Sequence, residues 1–365
     1  PSLSISKKPA GRQSTLPDVA PGKVPVFVMM QLDWMADDAQ SLRNRAALYA
    51  QLKALKGSGI TGVMADVWWG LCEAEPHNYR FGAVVELCDV LLEVGLQLQA
   101  VMSFHQCGGN VGDSVNIPLP FWALSIAKEN GLLYCSNTGI VSEDCLSLSA
   151  DKQEVFPNPG GNRSINRTGL DCYRDYIAAF LRAVKHRLGT VVCELQVGMG
   201  PCGELRYPSY MMSNGWKWPG VGLVTASDPH MKLRMQQEAK LLKLPEGLPE
   251  DQNALPDEIP IFKDARKSEP GFRSAEGKRF FSWYSACLID HGRNVLLATV
   301  EALKQIDIST ESSGLCLSVK ISGLHWHVTH RSRATEACAG YDCCSDVASD
   351  AYGDIAKMLS GISEI

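Results

Sequence analysis

Two hydrophobic periodicities alternate along this 365-residue chain, and the alternation limits its possible folds more than any other feature. Short apolar runs rich in β-branched residues are separated by stretches in which apolar residues recur every three or four positions, as on one face of a helix. Strands that alternate with helices favour an α/β fold with a parallel sheet, which a doubly wound sheet and a barrel both provide. The five predicted strands are Val24–Met30, Ile60–Val67, Leu96–Phe104, Val191–Val197 and Leu315–Ile321.

Helical periodicity is regular between these runs. In residues 43–56, leucines three and four positions apart share one face before Gly57, a common stop signal. The polar stretches 135–170 and 208–275 are long for simple connections, and such loops on a rigid scaffold often carry function. Further helices are predicted around residues 84–91, 171–187, 276–304 and 350–359.

Charge and composition exclude several classes of partner. The chain has 35 basic and 40 acidic residues, a net charge of −5, and no long basic run. Nucleic acid and anionic membrane surfaces are therefore poor candidate partners, and no apolar stretch reaches the roughly 18 residues that span a bilayer. The 13 cysteines form no CxxC pair, which favours free thiols over a zinc site or a disulfide framework.

Residues 1–23 differ in composition from the rest of the chain. They hold four basic residues against one acid, together with several serines and prolines. This composition is typical of the end of an organelle transit peptide or of a disordered leader. We therefore expect a leader over 1–23, one domain over 24–365, and a location in the plastid or, alternatively, the cytoplasm.

Chemically versatile side chains follow four of the predicted strands. The carboxyl ends of parallel strands are where catalytic groups gather in barrels and open sheets alike. Aromatic rings stack on sugars and carboxylates accept hydroxyl protons, so the set suits an uncharged, polyhydroxylated ligand. Any one residue also fits a structural role, but four clusters at consecutive strand ends indicate a functional site. They are Asp66 with Trp68, His105 with Asp113, Glu204 with Tyr210, and Lys320 with His325.

Two local sequence patterns are less specific indicators of function. The glycines of residues 108–112 suggest a mobile lid, because glycine accommodates the backbone changes of closure. No Lys-Ser/Thr follows them, which excludes a Walker-type phosphate loop. His325 and His327 share one side of an extended segment, as in some metal-dependent barrel hydrolases, but such a pair more often forms ordinary hydrogen bonds.

Four motifs together resemble the plant-type β-amylases over about residues 24–360. The resemblance implies a (β/α)8 TIM barrel and an inverting exo-hydrolase that releases β-maltose from the non-reducing ends of starch, without a cofactor or metal. Its expected partners are starch, α-1,4-glucan and maltose. The motifs are DVWWG at 66–70, SFHQCGGNVGD at 103–113, GPCGELRYPSY at 200–210 and VKISGLHW at 319–326.

The resemblance also implies roles for individual residues. Glu204 would be the general acid, in a partly closed pocket where desolvation favours its protonated form. Asp66, His105 and Asp113 would bind the sugar at the cleavage subsite, and Cys107 lies beside them as a possible target of thiol reagents. The remaining implied substrate-binding positions are Lys320, Gly323 and His325 for neighbouring glucose units, Trp68 and Tyr210 for stacking, and Cys338, where the family has threonine.

An inverting glycosidase also needs a general base. In the family, this second glutamate lies in an FTCxEM-like motif after the sixth strand, and no such motif occurs in this sequence. Glu364 lacks the surrounding motif and is not assigned the role. We therefore expect about five βα units of a C-terminally truncated barrel. Substrate loops depart from the family pattern at residues 31–33, 151–170 and 223–228.

Three hypotheses remain open at this point. The first is a β-amylase-type hydrolase, supported by the site residues described above. The second is a catalytically inactive glucan-binding or regulatory homologue, motivated by the missing base and by Cys338. The third and weakest is a metal-dependent barrel hydrolase that uses His325 and His327.

Overall fold

All five predicted strands form, and they lie side by side in one parallel sheet. In the computed structural model, which describes residues 24–108, 113–159, 165–238, 242–263 and 271–362, the sheet order is β1-β2-β3-β6-β7. Neighbours in the chain are thus neighbours in the sheet, as in a βα barrel, and within the described residues the sheet does not close. The strands are β1 (Phe27–Met29), β2 (Gly62–Trp68), β3 (Gln97–Ser103), β6 (Val192–Val197) and β7 (Cys316–Val319).

The predicted helices are also confirmed. They correspond to α1, α3, α5, α7 and α10, and the predicted leader at 1–23 lies outside the described residues. The described helices are α1 (Arg45–Gly57), α2 (Trp69–Cys72), α3 (Gly82–Val94), α4 (Phe121–Glu129), α5 (Gly169–Ala183), α6 (Pro229–Glu238), α7 (Ala275–Gln305), α8 (Thr310–Ser313), α9 (Ala334–Cys338) and α10 (Ala351–Ser360).

The loop after β3 contains structure that the sequence pattern did not predict. An antiparallel hairpin, β4 (Leu133–Cys135) and β5 (Val141–Leu146), overlaps the start of the polar stretch 135–170, which we expected to be a long loop, and α4 precedes it. The strand β5 reads VSEDCL, with three polar residues in six, so its alternation is too weak to stand out. The hairpin contributes to the site because its Cys145 bridges to His105.

The two faces of the sheet differ in polarity. Leu98, Ala100 and Met102 of β3 are buried, as are the apolar residues of the flanking helices. On the other face of the sheet, Gln99 of β3 is half-buried and donates a hydrogen bond of 2.7 Å to Glu194 of β6. The large apolar core therefore lies between sheet and helices, and the opposite face also carries polar side chains such as Gln99 and Glu194.

Helix α5 begins at a capping box. The Thr168 hydroxyl accepts a hydrogen bond of 3.1 Å from the amide of Asp171, and the Asp171 carboxylate accepts one of 2.9 Å from the amide of Thr168. Two amides that no helical carbonyl can reach are thereby satisfied. Because α5 packs along α7, the cap stabilises two of the long core helices together.

Replacing Thr168 with alanine is expected to lower the free energy of unfolding by about 1 kcal/mol, since alanine leaves the Asp171 amide without its acceptor. Urea unfolding monitored by circular dichroism measures the change. The matched control is Thr329→Ala, at an exposed threonine, which is expected to unfold like the wild type. Equal stability of the two variants would contradict the capping role.

No helix within the described residues has the length and apolar composition to cross a lipid bilayer.

Candidate active site

The carboxyl edge of the sheet brings the predicted polar residues together. Val197 of β6 pairs with Val319 of β7, and after a loop over residues 198–203 the chain returns to form a parallel bridge between Glu204 and Lys320. The amide of Leu205 donates a hydrogen bond of 2.9 Å to the carbonyl of Lys320. The residue predicted as proton donor therefore lies directly beside the predicted glucan-binding lysine.

Two neighbours hold the carboxyl group of Glu204. The Arg206 guanidinium donates from Nε to Oε2 at 2.8 Å, and the Ser322 hydroxyl donates to the same oxygen at 3.1 Å. Both hydrogen bonds described for this carboxyl go to Oε2, which leaves Oε1 for a ligand. The side chain is 17% exposed, so part of it remains accessible from solvent.

The sequence led us to expect a partly closed pocket in which desolvation favours the protonated form of Glu204, and the motif did not indicate a charged partner. Arg206 is almost completely buried, with a side-chain exposure of 3%. Its guanidinium also lies over the ring of Tyr210, 4.2 Å from the ring centroid. Glu204 therefore has a cationic partner fixed by packing, which the motif alone did not reveal.

The segment that carries Glu204 depends on glycine. A Cβ on Gly198 would lie 2.3 Å from the carbonyl oxygen of Met102, and one on Gly200 would lie 2.6 Å from the carbonyl oxygen of Glu204. Gly203 has a φ of +76°, a conformation that L side chains rarely adopt. The three glycines let the chain turn sharply after β6 and present Glu204 at the sheet edge.

Asp66, at the end of β2, is buried and hydrogen-bonded. The Ser103 hydroxyl donates to its Oδ1 at 2.6 Å. Burial raises the pKa of Asp66 to about 6, while the hydrogen bond from Ser103 and the positive charge of Lys320 act in the opposite direction. The carboxylate is thus ionised near neutral pH and can accept hydrogen bonds from sugar hydroxyls.

His105 remains a neutral imidazole. Burial lowers its pKa to about 3, and the nearby positive charges of Lys320 and Arg206 act in the same direction. Its Nδ1 is buried without a hydrogen-bond partner among the described residues. A neutral ring with an unpaired nitrogen is suited to exchanging a hydrogen bond with a sugar hydroxyl.

Lys320 lies near the carboxylates without an ion pair in the described structure. Its Nζ donates a hydrogen bond of 3.1 Å to the carbonyl of Cys202. Asp113 accepts a hydrogen bond of 2.8 Å from the amide of Gly108 and contributes a negative charge near Asp66. The rest of the predicted lid, 109–112, lies outside the described residues.

A group of aromatic rings borders the site. The ring of Tyr210 packs against Trp216 and Trp326, with centroids 5.0 and 5.3 Å apart. The indole N–H groups of Trp216 and Trp326 both donate to the carbonyl of Gly220 at 3.0 Å. Trp218 lies between these anchors and is 65% exposed. Such a ring can stack on a sugar, although Trp218 lies outside the four motifs that indicated the site.

Three predicted residues are not accessible to a ligand in this structure. Trp68 is 2% exposed, and its indole N–H donates to the carbonyl of Leu32 at 2.8 Å, so the prediction that it stacks on glucan is corrected to a packing role. Cys338 is 0% exposed inside α9. Cys107 is 2% exposed, and burial raises the pKa of its thiol to about 12, which opposes reaction with thiol reagents.

The pair His325 and His327 does not form a metal site with the described residues. His325 is exposed and its Nδ1 lies 3.3 Å from the carbonyl oxygen of Gly323, while Nε2 of His327 lies 2.7 Å from the carbonyl oxygen of Pro219. Within the described parts of the chain, no group of three or more histidine, cysteine or acidic side chains is arranged to hold a metal ion. Gly323 and His325 remain predicted glucan contacts.

A cavity lies away from these residues. It has a volume of about 680 Å³, lies between β1 and α1, and is lined by Met29, Met30, Trp34, Leu48 and Leu52 among others. None of the predicted site residues lines it. The candidate active site is therefore placed by its chemistry at the carboxyl edge and not by cavity size.

A parallel βα sheet in chain order, with a positioned carboxyl group, a second buried carboxylate and an aromatic group that includes the exposed Trp218, is the arrangement typical of barrel-type glycoside hydrolases. Residues 27–363 match Glycosyl hydrolase family 14, and the chain belongs to this family.

Curated relatives and a solved structure agree with this assignment. The chain is 42% identical over 346 residues to the chloroplastic beta-amylase 1 of Oryza sativa subsp. japonica, covering 92% of this chain and 61% of that protein. It is 36% identical over 341 residues to a beta-amylase of Glycine max, covering 92% and 65%. The catalytic domain of a beta-amylase from Paenibacillus polymyxa superposes with a TM-score of 0.70 at 25% identity, covering 92% of this chain and 74% of that one.

The chain thus spans about three fifths of the length of the curated relatives that it matches.

Proposed function

We propose that the protein hydrolyses α-1,4-glucosidic bonds at the non-reducing ends of starch-type glucans and releases β-maltose. The observation that carries the proposal is the arrangement of Glu204, whose Oε2 is held by Arg206 and Ser322 while Oε1 is left for a ligand beside Lys320. Membership of Glycosyl hydrolase family 14 supports the same reaction.

Glu204 is proposed to act as the general acid. A proton on Oε1 passes to the glycosidic oxygen as the bond to the anomeric carbon breaks, and the leaving glucan departs as an alcohol. The carboxylate that remains is stabilised at Oε2 by Arg206 and Ser322, 2.8 and 3.1 Å away. Inversion requires a water activated by a second carboxylate on the opposite face of the sugar. None of the described carboxylates has the sequence motif of that base, and we assign it to none of them.

The remaining polar residues are proposed to bind the glucan. Asp66 accepts hydrogen bonds from hydroxyls of the sugar at the cleavage subsite, and neutral His105 exchanges a further one. Asp113, which directly follows the predicted lid, binds the same sugar. Lys320, Gly323 and His325 bind the neighbouring units, and the rings of Tyr210 and Trp218 offer apolar surface beyond them.

An assay on soluble starch with anomer-resolved detection of products tests the proposal. We expect maltose that appears first as the β-anomer, with reducing-end glucans remaining. Retention of maltose or starch binding without release of β-maltose would overturn the hydrolytic function and favour a glucan-binding homologue. Initial appearance of α-maltose would overturn the inverting mechanism.

A location in the plastid is proposed as well. Three relatives that are 41–42% identical to the chain are described as chloroplastic. The basic, serine-containing composition of residues 1–23 is in keeping with this compartment. Fluorescence of the tagged natural protein in plant cells distinguishes the plastid from the cytoplasm.

A further inference from the structure

A buried histidine and aspartate lie directly behind the segment that carries Glu204. His291, in the middle of α7, is 5% exposed, and Asp151, in the short 3-10 turn Leu148–Asp151, is 8% exposed. Nδ1 of His291 lies 2.8 Å from Oδ2 and 3.0 Å from Oδ1 of Asp151. Nε2 of the same ring lies 3.0 Å from the carbonyl oxygen of Met199. Neither residue belongs to the saccharide site described above.

The two partners of His291 determine its protonation state. A carboxylate and a main-chain carbonyl can only accept hydrogen bonds, whereas a neutral imidazole has a single N–H. Both contacts are therefore satisfied only when both ring nitrogens carry a proton. In agreement, Asp151 and the Met199 carbonyl raise the pKa of His291, although burial alone would lower it.

The carbonyl that His291 contacts is part of the Glu204 segment. The amide of Met199 donates to the carbonyl of Gly203 at 3.3 Å, and the amide of Gly203 donates to the carbonyl of Gly200 at 2.9 Å. The segment is thus a tight loop whose first residues are bonded to the residue just before Glu204. A shift of the Met199 carbonyl would therefore displace Gly203, and with it Glu204, through these hydrogen bonds.

The next residue of α7 contacts the other end of the same loop. A Cβ on Gly292 would lie 2.9 Å from Cδ2 and 3.0 Å from Cδ1 of Leu205, so Leu205 packs directly on the helix backbone. His291 therefore fixes the chain before Glu204, and Gly292 fixes the chain after it. One turn of a rigid helix sets the position of the carboxyl group from both sides.

We propose that His291, as an imidazolium paired with Asp151, is a positioning residue that holds the 198–205 loop and so places Glu204 for proton donation. The catalytic part of this inference rests on the proposed function, whereas the loop-holding part does not. The ring acts only through the loop and transfers no proton itself.

Other charged and titratable groups surround the pair of His291 and Asp151. Asp290 on α7 adds negative charge that favours the imidazolium, and Arg234 on α6 pairs with Asp290 at 3.4 Å. Tyr134 on β4 and Tyr173 on α5 lie near Asp151, and burial raises the pKa of both phenols well above the usual value, so they remain neutral. The imidazolium is therefore set by Asp151, with Asp290 in support.

Nuclear magnetic resonance on the wild-type protein tests the protonation state without any variant. With ¹⁵N-labelled histidine, we expect both ring nitrogens of His291 to be protonated at pH 7, with slow exchange of both ring protons. A single protonated nitrogen at pH 7 would overturn the proposed ion pair. This measurement does not depend on catalytic activity.

Hydrogen exchange measured by mass spectrometry tests the positioning. In His291→Gln, amides of residues 198–205 are expected to exchange about tenfold faster than in the wild type or more, because glutamine cannot serve both acceptors. The control His186→Gln changes an exposed histidine and is expected to leave the exchange unchanged. Unchanged exchange in His291→Gln would overturn the positioning role. Asp151→Asn provides a second variant with the same expected effect if His291→Gln does not fold.

Steady-state kinetics test whether the position of the 198–205 loop affects catalysis. We expect His291→Gln to lower kcat for β-maltose release by about tenfold or more and to change KM by less than about twofold, because the sugar-binding residues are untouched. Faster exchange with unchanged kcat would overturn the catalytic part alone. Absence of β-maltose release by the wild type would refute the proposed function and leave the exchange result standing.

Discussion

Glu204→Gln is expected to lower kcat for β-maltose release by a factor of about 10²–10⁴, the usual contribution of a general acid. Glutamine keeps the size of the side chain and one oxygen for Arg206 and Ser322, which contact Oε2 in the wild type. It has no acidic proton to give to the leaving oxygen. Initial rates on maltooligosaccharides measure the loss, and calorimetry with maltose is expected to show affinity within about threefold of the wild type, since the binding residues are unchanged.

Glu194→Gln is the matched control for this experiment. Glu194 lies on the same strand, β6, and its carboxylate accepts hydrogen bonds from Gln99 and Ser318, but it is not at the carboxyl end. The same chemical change there is expected to leave kcat within about threefold of the wild type. Near-wild-type turnover of Glu204→Gln, or an equal loss in both variants, would refute the assignment of the general acid.

The fold could be predicted well because the hydrophobic pattern that indicates each strand and helix lies within that element. Each strand of the sheet carries its own apolar run, and α1, α3, α5, α7 and α10 each carry a helical period. Strand ends are less certain: β1 begins at Phe27 and not at Val24, since Pro25 has no N–H to donate to the ladder. The β4–β5 hairpin was missed because its residues show little alternation.

The site could be predicted in part, for a different reason. Motifs identify which residues gather at the carboxyl edge, as Glu204 and Lys320 show. They do not show exposure, and Trp68 and Cys338 are buried although their motifs suggested contact with substrate. They also do not show partners from distant parts of the chain. Arg206 and Ser322 were overlooked because their importance lies in contacts with Glu204 that only the folded chain creates.

The burial of His105 is expected to make the protein less stable in acid, and this is the second large effect. The folded protein keeps this ring neutral down to a pKa of about 3, mainly because the ring is buried, whereas the unfolded chain takes up a proton near pH 6.5. The unfolded state therefore binds more protons between these values, and stability is lost as the pH falls through this window. The loss from His105 between pH 7 and pH 5 amounts to about 2 kcal/mol.

Asp66 is expected to change the pH dependence of stability in the opposite direction, so variants of the two residues can be compared with each other. Burial raises its pKa to about 6, so between about 3.9 and 6 the folded state binds more protons than the unfolded state. The contribution of Asp66 to the free energy of unfolding is present at low pH and is lost as the pH rises through about 6. Urea unfolding at pH 7 and pH 5 should thus show His105→Gln less sensitive to acid than the wild type and Asp66→Asn more sensitive. If both variants show the same pH dependence of unfolding as the wild type, neither group has the buried, desolvated environment on which substrate binding at this edge is proposed to depend.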